Sequence, residues 1–223
     1  MRSSLGKEAE AAGKRLSMES DMAQQPAIAP VIRVDGPFGS SSEETFGFNT
    51  IVLVGAGIGV TPFASIMRSI QLQHRMRRPG APPGSGSGVE AAMSAPPRVY
   101  FYWVCRDMQE FNSFKGLMLE LADSQDKELS RAFQFNTYTT GEMDLSKFAK
   151  DGLVESENYK QYSGRPNWNR VLKTIASKHK NERGGVFMCG PGALASAING
   201  AIRRNNPKKG QAGTTFTFHK ENF

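Results

Sequence analysis

The chain has 223 residues, 39% of them hydrophobic, a formal charge of +7 and two cysteines. That length can bury a sizeable core and suits one α/β unit with extensions or at most two small domains. No apolar run approaches the roughly 18 to 20 residues that span a bilayer, no apolar segment follows the basic residues of the N-terminus, and the cysteines lack zinc spacing, so a membrane span, a secretory signal, a disulfide framework and a metal site are not expected.

Residues 1–30 are polar and Ala-rich and form an extension, with helical spacing at Leu5 to Leu16 and a linker in MAQQPAIAP. VIRVDGPFG then predicts a short strand, Val31 to Val34, closed by a turn at Gly36 and Pro37. Ile51 to Val54 is continuous and β-branched, as a strand covered on both faces requires. A helix from Pro62 to about His74 follows, with Pro62 in the first turn, where its missing N–H costs nothing. Residues 77–97, rich in Gly, Pro and Ser, predict a disordered insertion. RVYFYWVC predicts a strand over Val99 to Cys105, and Phe111, Phe114, Leu117, Met118 and Leu121 share one helical face. FQFNTYTT predicts a third strand, Phe133 to Thr140, before a weakly patterned, loop-rich region, Gly141 to Ser163. A helix over Trp168 to His179, a strand in GGVFMCGP, a small-residue helix in GALASAINGAIRR and a final strand in TTFTFHKENF complete the chain. Strand and helix alternate, so the fold class is α/β: a doubly wound, mainly parallel, five-stranded sheet.

Three glycines end the first buried strand: Gly55, Gly57 and Gly59. Glycine there lets backbone approach a ligand, and the helix that follows directs N–H groups at phosphate. G-x-G-x-x-G counted from Gly55 fails at Val60; counted from Gly57 the run is G-x-G-x-x-P, which leaves a tight packed turn as an equal reading. The next strand ends in Cys105-Arg106-Asp107, where an arginine accommodates a ribose 2′-phosphate and an acid selects the free 2′-hydroxyl. Arg106 favours NADPH and Asp107 favours NADH, while a surface pair between neighbours remains the alternative. Cys189-Gly190-Pro191 repeats the strand, turn and helix arrangement, with Cys189 at the carboxyl end of its strand, facing the cleft or half-buried. The basic groups near Arg75 to Arg78, Lys178 to Arg183 and Arg203 to Lys209 form no stripe with aromatics, so no nucleic acid is expected.

DGPFG, LVGAGIGVTPFASI, YFYWVCRD, YSGRPNW, GVFMCGP and the terminal FHKENF together resemble the C-terminal NADPH-binding lobe of the superoxide-generating NADPH oxidases, relatives of the ferric reductases in the ferredoxin-NADP reductase superfamily. The resemblance covers about Val31 to Phe223. It implies an NADPH-binding domain over 31–223 with the ferredoxin-NADP reductase type of sheet. By the same resemblance Gly57, Gly59, Val60, Thr61 and Pro62 contact the pyrophosphate and nicotinamide, and Arg106 and Arg165 hold the 2′-phosphate. Cys189, Gly190 and Pro191 line the nicotinamide side, Asp35 to Phe38 border the flavin domain, and Phe223 covers the flavin ring and moves aside for hydride transfer. An apolar, flexible C-terminal Phe suits such stacking, with a core plug as the alternative.

In the family, NADPH reduces FAD and electrons cross the membrane through hemes to O₂. The FAD domain, the heme-bearing helices and their histidine pairs have no counterpart in this sequence. The resemblance therefore implies a C-terminal part of a longer membrane enzyme, lying on the cytosolic side, soluble and inactive alone, with those domains and cytosolic activators as partners. A ferric reductase lobe and a non-catalytic docking module, its basic groups binding acidic lipid or an activator, are the alternatives.

Overall fold

The computed structural model describes residues 43–76, 95–141 and 157–221. The N-terminal extension, Asp35 to Phe38, nearly all of the 77–97 insertion and Phe223 lie outside them.

Six strands form one sheet: β1 (Thr50–Ala56), β2 (Arg98–Cys105), β3 (Phe133–Thr139), β4 (Tyr159–Ser163), β5 (Arg183–Cys189) and β6 (Thr215–Glu221). They run in the order β4-β3-β2-β1-β5-β6, every neighbouring pair parallel. The α/β, doubly wound class holds, with six strands where the sequence predicts five. The additional strand, β4, lies in the region read as loop. Its sequence, YKQYS, has a buried Tyr159 but exposed Lys160, Tyr162 and Ser163, so a sheet-edge strand left no apolar run to recognise.

Among the described residues five α-helices cover the faces: α1 (Thr61–Met76), α2 (Asn112–Ala122), α3 (Lys127–Ala132), α4 (Trp168–Lys178) and α5 (Gly192–Asn205). Side chains alternate across a strand, and β1 divides accordingly. Ile51 and Leu53 join Phe63, Met67, Met118 and Leu121 in one core beneath α1 and α2, whereas Val52 and Val54 join Leu172, Ile175, Ile198 and Ile202 beneath α4 and α5. Burial on both faces explains why β1 and β2 read as unbroken apolar runs. The third helix has only six residues, KELSRA, and starts at an Asp126 cap whose carboxylate accepts from the N–H groups of Glu128 and Leu129.

Polar ties hold the α1–α2 side. Arg68 bonds both Glu120 oxygens at 3.0 and 2.9 Å, and the buried Gln71 donates to the same carboxylate at 2.8 Å. His74 meets Asp126 at 2.8 Å. Among the described residues no helix is long and apolar enough to cross a membrane.

Candidate functional site

In an open parallel sheet, ligands bind beyond the carboxyl ends of the strands, where the winding reverses. Here β1 starts the winding toward β2 on one side and takes β5 on the other, so the reversal lies between β1 and β5. Gly55 pairs with Cys189 across that boundary.

The backbone leaves β1 through a 3-10 turn, Gly57–Val60, and passes directly into α1. Gly57 adopts φ +53°, a conformation that other residues rarely take. Gly59 lies so close to β5 that a methyl group on its Cα would come within 2.7 Å of the Cys189 carbonyl oxygen. Val60, 1% exposed, packs into the core beneath the turn. No side chain caps this helix start at Ala56. The Thr61 hydroxyl donates to the Ile58 carbonyl at 2.9 Å, and Ile58 itself is 89% exposed. Pro62 occupies the first turn of α1, as its sequence position predicts.

Beneath the turn, the buried Trp103 donates its indole N–H to the Gly57 carbonyl at 2.9 Å. The Glu110 carboxylate also lies beside the turn, 3.6 Å from where a Gly57 Cβ would stand. Burial, and then the Glu110 charge, push the neighbouring Cys105 thiol well above its ordinary value. Sequence reasoning missed Trp103 and Glu110: an aromatic within an apolar strand reads as core, and an acid near a helix start reads as a capping residue.

The Arg106–Asp107 pair separates into two different roles. Asp107 caps the 3-10 turn Met108–Phe111, its carboxylate accepting from the Gln109 N–H at 2.9 Å, while Glu110 accepts from the Asp107 N–H at 3.3 Å in a reciprocal capping box. Arg106 is exposed and, among the described residues, has no ion-pair partner. Its carbonyl accepts the Gly141 N–H at 3.0 Å, and Cys105 receives the Thr140 N–H at 2.8 Å, so the loops after β2 and β3 are tied together.

Arg165 leaves the sheet after β4. Gly164, at φ +87°, turns the chain, Pro166 is buried, and Asn167 caps α4 by accepting from the Arg170 N–H at 3.0 Å. Trp168 then packs edge-on against Tyr102, ring centres 5.6 Å apart. This accounts for the GRPNW run: each residue except the exposed Arg165 turns, packs or caps. Arg106 and Arg165 therefore emerge on one edge of the sheet, two strand spacings or roughly 10 Å apart. Between β3 and β4, Tyr138 stacks on the partly exposed Tyr162 with ring centres 4.7 Å apart. Burial, with the Tyr162 hydroxyl adding to it, pushes the Tyr138 phenol up to about 12, against the opposing charge of Arg170.

Across the boundary, Gly190 lies against Ala56, and the exposed Pro191 precedes α5. Cys189 does not open onto a cleft. It is 4% exposed, covered by Gly59, and burial raises its thiol, with Glu221 adding to the shift. All three histidines bond carboxylates: His74 with Asp126, His179 with Glu182 at 3.3 Å and His219 with Glu44 at 3.0 Å. Among the described residues no group of three or more His, Cys, Asp or Glu could hold a metal ion. Of the expected site residues, the β1 turn, Arg106, Arg165 and Cys189 to Pro191 thus share the carboxyl edge, and Phe223 lies outside the described residues.

The family model described as "Ferric reductase NAD binding domain" matches residues 48–201, a span that contains the glycine turn, both arginines and Cys189. The chain belongs to this family. Among curated relatives it is 32% identical to respiratory burst oxidase homolog protein B of Solanum tuberosum, over 87% of this chain and 23% of that protein. It is also 32% identical to a superoxide-generating NADPH oxidase heavy chain of Dictyostelium discoideum, over 92% of this chain and 38% of that one. The chain thus spans well under half the length of these relatives. A flavohem-like FAD/NAD-binding domain of nitric oxide dioxygenase from Vibrio cholerae aligns with 75% of the chain and 51% of its own at a TM-score of 0.40 and 15% identity.

Proposed function

We infer that this chain is the NADPH-binding part of a longer oxidoreductase of the NADPH oxidase type. The observation that carries the choice of NADPH over NADH is the division of labour at the end of β2. The Asp107 carboxylate is engaged as a helix cap, and the neighbouring Arg106 guanidinium is exposed with no ion-pair partner among the described residues. An acid held by backbone N–H groups is withdrawn from a ribose hydroxyl, whereas an always-charged planar fork suits a phosphate.

The rest of the carboxyl edge fits the dinucleotide. A glycine at φ +53° opening a turn whose N-cap, Ala56, supplies no side-chain hydrogen bond suits a pyrophosphate. The close contact of Gly59 with Cys189 leaves no side chain between the two loops. Arg165, on its own turn, would share the 2′-phosphate with Arg106, and Tyr162 would offer ring surface to the adenine.

When bound, NADPH supplies a hydride to an adjoining flavin. The work of this chain is binding and orientation: the β1 turn would fix the phosphates, the arginines would set the adenosine end, and the Gly190–Pro191 turn after Cys189 would border the nicotinamide. None of these residues needs to move a proton. By likeness to the relatives, the flavin and heme would come from other parts of a longer protein, at a membrane, with superoxide as product. A ferric reductase is the nearest rival, distinguished by the final electron acceptor.

The test is a fluorescence titration of the chain with NADPH and with NADH, repeated on Arg106→Ala. The expected outcome is tighter binding of NADPH by at least tenfold, with that preference lost in the variant and NADH binding unchanged. Equal affinity of the wild-type chain for both would overturn the reading.

A further inference from the structure

The Gly57 carbonyl points inward to a buried donor, and this fixes more than itself. A peptide unit is planar and trans, so its C=O and its N–H point in opposite directions. The peptide joining Gly57 to Ile58 has its carbonyl bound at 2.9 Å by the indole of Trp103, which is 2% exposed. Its N–H, on Ile58, must then face outward from the core, on a residue that is 89% exposed. The next carbonyl, of Ile58, accepts from the Thr61 hydroxyl and from the Thr61 N–H, so the turn is closed on itself from that point on.

The donor beneath is rigid. Phe111 and Phe114 pack edge-on against the Trp103 ring, with centres 5.0 and 5.8 Å away, and Phe101 does so at 6.4 Å. The indole cannot swing without opening this cluster. Trp103 is also paired in register with Gly55, the last glycine before the turn, so the strand ladder sets its height against Gly57.

We propose that Trp103 is a positioning residue for the dinucleotide: its indole N–H holds the Gly57–Ile58 peptide so that the Ile58 N–H is presented to the cofactor's pyrophosphate. This rests on the cofactor reading above and adds a residue that touches no ligand. It requires that loss of the indole N–H, with the apolar ring retained, weakens a ligand that reaches the turn and spares one that reaches only the arginines.

The experiment is a pair of titrations on the full chain, with NADPH and with adenosine 2′,5′-bisphosphate, which lacks the second phosphate of the pyrophosphate bridge and the nicotinamide. Trp103→Phe is expected to weaken NADPH about tenfold, the scale of one buried hydrogen bond, and to leave the bisphosphate within about twofold. Equal weakening of both ligands would mean that Trp103 is structural only, and no weakening of either would overturn the proposal while the cofactor reading stands. If the wild-type chain bound neither ligand, the cofactor reading would fall and this inference with it. Should circular dichroism show Trp103→Phe unfolded, Gly57 tests the same geometry, since Asn tolerates positive φ and Ala does so poorly. Selective loss of NADPH in Gly57→Ala with retention in Gly57→Asn supports the aimed peptide; equal retention in both overturns it.

Discussion

The α-carbon of Gly59 rests on Cys189: a methyl group there would lie 2.7 Å from the Cys189 carbonyl oxygen and 3.0 Å from its sulfur. The obstructing oxygen is backbone of a central strand and cannot turn aside as a flexible side chain would. Gly59→Ala should therefore cost about 1–3 kcal/mol and spread the β1 and β5 loops. A lowered urea midpoint together with weakened NADPH binding is the expected result. An unchanged midpoint would mean that the two loops yield freely.

Asp107 supplies a second test. Its carboxylate caps the Met108–Phe111 turn. Asp107→Ala should lower stability by about 1 kcal/mol in urea unfolding and leave the NADPH:NADH preference where it was. A shift toward or away from NADH would show that the carboxylate also reaches a ribose.

Both thiols should resist modification. Cys105 and Cys189 are buried, and burial raises each above its ordinary value of 9.0, with Glu110 adding to the shift at Cys105 and Glu221 at Cys189. A thiolate-specific reagent at neutral pH should react slowly with the native chain and quickly in urea. Glu110→Gln should speed the reaction of Cys105, because it removes the charge that opposes thiolate formation.

Acid should loosen the α1–α2 side first. Hydrogen bonds from Gln71 and Arg68 lower Glu120 below its ordinary 4.5, and the bond to His74 does the same for Asp126 below its ordinary 3.8. For a carboxylate depressed by folding, the added stability is present above the unfolded value and is lost as pH falls through the folded one. The chain should hold its urea midpoint from pH 7 to about pH 5 and lose it below. Glu120→Gln should start lower at pH 7 and lose less between pH 5 and pH 3; an identical pH profile would exclude Glu120 as a contributor.

Strands buried on both faces were legible because their composition is uniform: Ile51 to Val54 and Val99 to Cys105 need apolar residues at every position. β4 was not, because Lys160, Tyr162 and Ser163 face solvent at the sheet edge. The short helix Lys127–Ala132 offers one turn and a half, too little for a periodic pattern. At the site, glycine spacing located the turn, but the competition between Arg106 and Asp107 depended on where the next helix begins. The sequence places that start at Phe111, and the 3-10 turn starts at Met108, within reach of the Asp107 carboxylate. Tyr138 and Tyr162 read as strand residues, and only the pairing of β3 with β4 stacks them.

The pairing of β1 with β5 also bears on how the chain acquires its cleft. Thr50, at the start of β1, donates to Glu182, just before β5, across 132 residues at 2.7 Å. Contacts of such separation form late, because the entropy of closing the intervening chain must be met before the pairing rewards it. The β1–β2 half, with its glycine turn, Trp103 and Arg106, can assemble from closer partners, while the half beside Cys189 waits for that closure. Refolding should thus regain strand and helix signal before it regains a competent cleft, and a bound dinucleotide, touching both halves, would act chiefly by slowing their separation.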